Sequence, residues 1–160
     1  MDLVTQAMGN VVIEPLTRHR ADELAEPLLA MSADSTWDDW DRANLLSERP
    51  GKWDLSLLAT IADRPVGWAI ASRTEGGGLH LHHIVVDPAH RAEGIGSRLM
   101  SALASSAAPG RITLKVHPDN AAAARFYERL GFVEQGMSSS GYRCFARNCG
   151  HRPKVEGDAR

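Results

Sequence analysis

The segment over residues 79–107 constrains the fold of this 160-residue chain more than any other part of the sequence. The apolar run at residues 79–86 predicts a β-strand, and Pro88 stops it. A loop with two glycines follows at residues 91–97, and the apolar spacing beyond it predicts an amphipathic helix over about residues 94–107. A strand, a short loop and a helix in succession indicate a mixed α/β domain.

The two glycines of this loop predict an anion-binding site. Gly94 and Gly96 lack the side chains that would keep a ligand away from the backbone. The first N–H groups of the following helix have no partners within it, and they carry the positive end of its dipole. Together these features favour a pyrophosphate, and Arg91 and Arg98 add positive charge. A tight turn with close helix packing is the alternative, and the loop alone does not decide between the two.

The rest of the pattern predicts hairpins first and then strands that alternate with helices. Further strands are predicted at residues 11–16, 55–62, 66–71, 111–117, 132–133 and 142–146. Further helices are predicted at about residues 20–31, in a segment that ends near Arg49, and at about residues 119–130. Pro27 starts, kinks or divides the first helix, Asp63-Arg64-Pro65 predicts a hairpin turn, and Gly131 caps the last helix.

These elements predict an α/β (α+β) fold with a mixed, mostly antiparallel sheet. We expect about six to seven strands, flanked by about four helices. A single domain is predicted over residues 1–147, followed by a flexible tail over residues 148–160, where the sequence is polar and mixed in charge.

Composition and charge exclude several classes of protein. With 43% hydrophobic and 24% charged residues the chain is typical of a globular protein, and its formal net charge of −2 argues against one that coats nucleic acid. The first residues show neither a basic region nor a long apolar stretch. We therefore expect no signal peptide, no membrane span and a cytoplasmic protein. Cys144 and Cys149 are expected to be free thiols.

A second motif follows the glycine loop and is more specific. Residues 120–132 read Asn-Ala-Ala-Ala-Ala-Arg-Phe-Tyr-Glu-Arg-Leu-Gly-Phe. With the loop, this segment resembles the GCN5-related N-acetyltransferase (GNAT) superfamily. The acetyl-CoA loop of that family reads Gln/Arg-x-x-Gly-x-Gly/Ala, and a strand, an Asn and a helix with Phe-Tyr and a final Gly-Phe follow it. The resemblance covers roughly residues 79–133. It implies a GNAT fold with a splay after the fourth strand, acetyl-CoA as acyl donor and no metal.

The resemblance also implies roles for individual residues. Main-chain groups at the end of the strand would contact the pantetheine arm, Asn120 would lie beside it, and the loop would hold the pyrophosphate. The strand residues are Ile84, Val85 and Val86, and the loop residues are Arg91, Ala92, Glu93, Gly94, Ile95, Gly96 and Ser97. Tyr127 matches the tyrosine that commonly protonates the departing thiolate. Helical spacing predicts that Phe126 faces the core and Tyr127 faces elsewhere, and a half-buried structural tyrosine is the alternative.

A proton acceptor is also required, because an alkylamine is charged at neutral pH and must lose a proton before it attacks. One branch of the family uses a glutamate where this chain has Lys115. Strand alternation puts His80 and His82 on one face and His83 on the other, and this His-x-His resembles serotonin and other arylalkylamine N-acetyltransferases. We predict His80 and His82 as base or relay. A metal site and solvated strand residues are the alternatives.

The acceptor pocket is predicted from residues 34–54, which are acidic and aromatic. Trp37, Trp40, Asp38 and Asp41 are the candidate contacts, and they suit a cationic amine through charge and cation–π attraction. A small cationic amine, an amino-sugar antibiotic and a basic peptide terminus all remain open as acceptors. A solvated helix with its tryptophans packed inward is the alternative.

The predicted function is N-acetyltransfer from acetyl-CoA to a primary amine by direct attack in a ternary complex. Backbone amides of the splayed strand, such as that of Val86, would stabilise the oxyanion. A dinucleotide-dependent oxidoreductase is a poor alternative, because Leu99 stands where the fingerprint has its third glycine. A non-catalytic acyl-CoA-binding module of the same fold is the second alternative. Neither a nucleic acid nor a membrane is expected as partner, and a homodimer is left open.

Overall fold

A computed structural model of the chain describes residues 10–37 and 40–150. Its centre is a seven-stranded sheet in the order β1-β2-β3-β4-β5-β7-β6. Neighbouring strands are antiparallel except β4 and β5, which are parallel. The strands are β1 Val11–Pro15, β2 Leu57–Ile61, β3 Arg64–Arg73, β4 Leu79–Val86, β5 Gly110–Val116, β6 Val133–Met137 and β7 Arg143–Cys149. The predicted mostly antiparallel α/β sheet is confirmed.

The described residues form six α-helices, where the sequence predicted about four. They are α1 Arg18–Glu23, α2 Ala25–Ala30, α3 Arg42–Leu46, α4 Lys52–Leu55, α5 Ile95–Ala107 and α6 Ala121–Arg129, with a 3₁₀ turn at Pro88–His90. The segment predicted as one helix over residues 20–31 is divided at Leu24. Pro27 then falls in the first turn of α2, where its missing N–H costs no helical hydrogen bond.

The helix predicted to end near Arg49 stops at Leu46, and α4 was not predicted. Gly51 starts α4 with a positive φ of 69°, a conformation that favours glycine. The Lys52 ammonium, buried at 1% exposure, donates to three carbonyls at the end of α3. Its acceptors are Asn44 O at 3.3 Å, Leu45 O at 2.7 Å and Ser47 O at 2.6 Å. Burial lowers its pKa to about 8. Lys52 therefore fixes the loop between α3 and α4.

Three hydrophobic clusters cover the two faces of the sheet. On one face α5 buries Leu99 and Leu103, as its periodicity predicted. On the other face α1, α2 and α3 pack over β3, where the Trp68 indole is buried and donates to Leu28 O at 2.9 Å. Both helical layers hold β3 and β4 in place, and these are the strands that carry the candidate site.

The sheet opens between β4 and β5. The two strands pair over three residue pairs, of which Leu81 with Leu114 is the last. β4 continues to Val86 while its other edge stays paired with β3. The predicted splay is therefore present, and it frees the β5-facing backbone of residues 82–86 for a ligand.

A β-bulge at His82 changes the direction of the strand's side chains. Ile70 pairs with His83 and Ala71 with Leu81, so His82 is an extra residue in β4. The His82 ring bonds the Ser72 hydroxyl group, and the His83 ring packs on the Trp68 ring. Ser72 and Trp68 are four residues apart in β3, so their side chains lie on the same face of the sheet. The prediction that His83 points away from His82 is therefore wrong. Strict alternation fails at a bulge.

Two boundaries differ from the prediction. The β2–β3 turn is made by Ala62 and Asp63, both with positive φ, and Pro65 lies within β3. β7 continues to Cys149, which pairs with Gly110, so residues 148 and 149 belong to the sheet and not to a tail. Residues 151–160 lie outside the described part of the chain. Cys144 and Cys149 are free thiols, as expected, and burial raises the pKa of Cys149.

Candidate active site

Two cavities meet where the sheet opens. One has a volume of about 550 Å³ and runs from the end of β4 to the glycine loop and α6. The other, of about 670 Å³, lies over the histidines of β4 and reaches the segment before α3 and the β6–β7 loop. Both are lined by Ile84, Ala123 and Tyr127. A reaction between two bound molecules therefore has its natural position at these three residues.

The smaller cavity, here called the coenzyme groove, has the features of an anion site. Gly94 precedes α5 with a φ of 84° and offers no side-chain cap to the described first turn of that helix. A Cβ built on Gly94 meets nothing within 4 Å, so the backbone is open on that side. Gly96 packs under α6, because a Cβ there would lie 3.3 Å from Phe126 Cζ. The open amides and the freed edge of β4 fit a pyrophosphate and its pantetheine arm.

Most of the predicted coenzyme residues line this groove. They are Ile84, Val85, Val86, Arg91, Ala92, Gly94, Ile95, Gly96, Ser97 and Tyr127. Glu93 does not line it, and its carboxylate contacts the His90 ring at 3.1 Å. Arg129 lines the groove and was missed by the sequence analysis, although its place two residues after Tyr127 in the family motif was a usable signal.

The Arg91 side chain fastens the loop to the rest of the fold. Its guanidinium bonds Asp34 at 2.9 and 3.2 Å, and it also donates to Val86 O and Met31 O. The Arg91 hydrogen bond lowers the pKa of the Asp34 carboxyl. Because Arg91 is engaged in contacts within the protein, the first N–H groups of α5 are better placed to donate hydrogen bonds to a bound anion.

Tyr127 is more buried than the sequence predicted. Its side chain is 8% exposed and lies in the core, while the neighbouring Phe126 is only partly buried. The Tyr127 ring packs on Phe126 at 5.2 Å and on Phe132 at 5.6 Å. The prediction that Tyr127 faces away from the core is wrong. Phe126 packs against the same core cluster, as predicted, and also lies next to Gly96 of the glycine loop. Burial fixes the Tyr127 ring at the junction of the cavities.

Asn120 begins α6. Its side-chain oxygen accepts from the Ala123 amide at 3.2 Å and caps the helix. Asn120 lines the larger cavity, here called the acceptor cavity, and does not line the coenzyme groove. Its first function is therefore to position the helix that carries Tyr127.

The predicted histidines line the acceptor cavity and are held by neutral partners. His80 Nδ1 bonds Thr113 Oγ1 at 2.7 Å, and His82 Nε2 bonds Ser72 Oγ at 2.7 Å. The two rings lie 4.8 Å apart. Burial lowers the pKa of both, and for His82 it lowers the pKa to about 3. Both imidazoles are therefore neutral at pH 7.

Acid is expected to destabilise the protein through His82. Its pKa falls from 6.5 in the unfolded chain to about 3 in the folded one, so the unfolded state binds more protons between those values and stability is lost as pH falls. As the pH is lowered from about 7 to about 4, we expect the melting temperature of His82→Gln to fall by less than that of the wild type. The exposed His19→Gln serves as control and should keep the wild-type loss. An equal loss in His82→Gln contradicts the pKa assigned to His82.

The predicted acceptor-binding residues divide into two groups. Trp37 and Trp40 line the acceptor cavity, where Trp37 packs on the His117 ring at 4.5 Å and Trp40 stacks on His83 at 4.8 Å. Asp41 does not line it, because its carboxylate caps α3 by accepting from the Asn44 amide at 2.8 Å. Asp38 lies outside the described residues.

Several residues of the acceptor cavity were not predicted. They come from separate parts of the chain: Asn44, Arg49, His117, Ser140 and Tyr142. Asn44 and Arg49 lie within the segment 34–54 that was predicted to form the pocket, although neither was named as a contact. Only the fold brings His117, Ser140 and Tyr142 to that segment. Among the described residues, no group of three or more His, Cys, Asp or Glu side chains could hold a metal ion. No helix in the described part of the chain is long and apolar enough to cross a membrane.

Comparison with known proteins identifies the family. The family model described as acetyltransferase (GNAT) family matches residues 17–132. N-alpha-acetyltransferase RimI of Mycobacterium tuberculosis is 33% identical over 136 residues, which cover 83% of this chain and 85% of that protein. Peptidyl-lysine N-acetyltransferase YjaB of Salmonella typhimurium is 30% identical over 128 residues, covering 76% and 83%. The chain belongs to the GNAT family and is an acetyltransferase.

Two further comparisons give one sequence match and one structure of the same fold. An uncharacterised protein of Mycobacterium leprae, ML0378, is 35% identical over 101 residues, which are 61% of this chain and only 28% of that protein. The crystal structure of Ard1 from Thermoplasma volcanium has the same fold, with a TM-score of 0.71 at 22% identity, over 86% of this chain and 97% of that one. The fold and family predicted from the sequence are both confirmed.

Proposed function

We propose that this protein transfers an acetyl group from acetyl-CoA to a primary amine of a peptide, by direct attack within a ternary complex. The observation that carries the proposal is the meeting of the two cavities at Ile84, Ala123 and Tyr127. One cavity suits a nucleotide-linked thioester and the other an amine. Neither molecule would have to leave before the other entered.

The coenzyme groove would hold acetyl-CoA through its backbone. First-turn amides of α5 would bind the pyrophosphate, with Arg129 at the rim, and the free edge of residues 84–86 would bind the pantetheine. When bound, acetyl-CoA supplies the thioester carbonyl that the amine attacks. An amide of residues 84–86 would donate to the developing oxyanion. Tyr127 would hold a proton at the junction, where the leaving thiolate needs one.

His80 is the better candidate for the proton acceptor. A general base works best when its pKa lies near the operating pH, and a pKa of about 3 makes His82 a poor acceptor at neutral pH. We propose that His80 accepts the proton of the substrate amine, directly or through one water, and that His82 positions the His80 ring. As the N–C bond forms and the C–S bond breaks, His80 takes the amine proton and Tyr127 gives one to sulfur.

A peptide acceptor is favoured by two observations. The relatives RimI and YjaB are named for transfer to α-amines and to peptidyl lysines, respectively. The acceptor cavity reaches the β6–β7 loop, where Ser140 and Tyr142 line it, and its volume of about 670 Å³ would leave room for a chain beyond the amine. A small cationic amine has less support, because Asp41 is engaged as a helix cap.

A screen of amines tests the proposal. Thiol release from acetyl-CoA is followed with peptides that offer a free α-amine or a free lysine, and with small polyamines and amino sugars. Mass spectrometry then locates the added acetyl group. We expect thiol release and acetylation with peptides. Tight acetyl-CoA binding without release to any amine would support the alternative, a non-catalytic acyl-CoA-binding module.

His80→Gln is expected to lower kcat by roughly 100-fold and to flatten the acidic limb of its pH profile. In the wild type, the rate falls at low pH because the His80 imidazole becomes protonated. Since the pKa of His80 is lowered, this fall in rate is expected below pH 6.5. His82→Gln should cost less than about tenfold, because the base remains. His19→Gln on α1 is the control. A His80→Gln enzyme with wild-type rate and limb would remove His80 from the proton path.

A further inference from the structure

The acceptor cavity carries positive charge that the coenzyme groove does not explain. Of the described residues that line it, the permanently charged ones are Arg49 and Lys115, and no carboxylate is among them. Arg49 lies between α3 and α4, and Lys115 lies on β5 just beyond the point where β4 and β5 separate. The two cations therefore come from separate elements of the fold and line one cavity.

Neither cation has an ionic partner among the described residues. Within residues 10–37 and 40–150, no salt bridge or side-chain hydrogen bond engages the Arg49 guanidinium or the Lys115 ammonium. Three other arginines of the fold are paired with a carboxylate: Arg42 with Asp22, Arg91 with Asp34 and Arg143 with Glu134. Two unpaired cations facing one cavity favour a negatively charged occupant.

The positive charges of Arg49 and Lys115 also act on the histidines of the cavity. After burial, the charge of Lys115 and then that of Arg49 lower the pKa of His80. The charge of Arg49 also lowers the pKa of His82. Both cations thus act at the position where the amine would lose its proton. Neutral hydrogen-bonding groups complete the lining at Asn44, Asn120 and Ser140.

We propose that the acceptor is a peptide whose amine lies next to an acidic side chain, and that Arg49 and Lys115 bind that carboxylate. This inference rests on the proposed function and names its substrate class. The carboxylate would receive charge-assisted hydrogen bonds from the guanidinium and the ammonium, which are stronger than bonds between neutral groups. A basic residue at the same position would meet two like charges and bind worse.

Sets of peptides that differ at one position provide the test. In one set the peptides have a free α-amine and carry Asp, Asn or Lys as the second residue. In the other set the N-terminus is blocked, and a single acceptor lysine is followed by Asp, Asn or Lys. The wild type is expected to prefer Asp over Asn by roughly 10- to 100-fold in kcat/KM, and to use Lys least. Arg49→Gln and Lys115→Gln should each reduce the Asp/Asn ratio by roughly tenfold, and the double variant should bring it near unity.

Arg111→Gln is the matched control. Arg111 lies on β5 like Lys115, but it bonds Gln135 and does not line the cavity. It should keep the wild-type Asp/Asn ratio. A wild-type ratio near unity, a preference for Lys, or an unchanged ratio in both single variants would overturn this inference and leave the proposed function intact. No acetylation of any peptide, despite bound acetyl-CoA, would overturn the proposed function itself.

Discussion

Gly94→Asp is expected to raise the KM for acetyl-CoA by roughly 100-fold or more. Gly94 starts α5, so an aspartate there would bring a carboxylate to the amides proposed to bind the pyrophosphate. It would also fill the open side of the backbone, where a Cβ now meets nothing within 4 Å. Initial rates at saturating peptide, together with binding of CoA alone by calorimetry, measure the effect.

The change at Gly94 has a matched control in Gly77. Both glycines have positive φ, 84° and 90°, and both have open space around a built Cβ. Gly77→Asp therefore imposes a similar backbone cost, about 1 kcal/mol, on the β3–β4 turn, away from the groove. It should leave the KM for acetyl-CoA within about threefold of wild type. Equal effects at both positions, or none at Gly94, would contradict an anion site at this helix start.

Tyr127→Phe is expected to lower kcat by roughly 100-fold with little change in the KM for acetyl-CoA. The substitution keeps the ring that packs on Phe126 and Phe132 and removes only the hydroxyl group. What is lost is thus the proton at the junction of the two cavities. Steady-state rates with acetyl-CoA and the best peptide of the screen measure it.

A donor with a better leaving group separates this role from a structural one. Thioesters of a more acidic thiol need less protonation, so the rate deficit of Tyr127→Phe should shrink with them. A merely structural tyrosine would give the same deficit with every donor. The melting temperature of the variant checks the core, because Tyr127 is only 8% exposed. A variant with wild-type kcat would exclude Tyr127 as the proton donor.

The central unit of the fold could be predicted because its signals are local. β4 was predicted with its observed bounds, and α5 was predicted within one residue. The glycines, the helix start and the apolar face all lie within one short segment, so neighbouring residues determine the structure. The companion motif at residues 120–132 then supplied Tyr127 and its helix.

Features that depend on distant contacts were predicted less well. The bulge at His82 arises from pairing with β3 and is not visible in the alternation of β4. Phe126 lies next to Gly96, thirty residues earlier in the chain, and the helical spacing of α6 does not predict that contact. Of the described residues that line the acceptor cavity, Arg49 and Lys115 carry its permanent charge, and only the fold brings these two together. The acidic sequence around residue 40 had suggested a negatively charged acceptor pocket instead.

Two-substrate initial-rate kinetics test the central claim most directly, which is that acetyl-CoA and the amine react while both are bound at the junction of the cavities. Rates are measured over a grid of acetyl-CoA and peptide concentrations. Reciprocal plots are expected to give lines that intersect, with CoA competing against acetyl-CoA. Parallel lines would indicate a covalent acetyl-enzyme and a ping-pong sequence, and that result would contradict direct transfer.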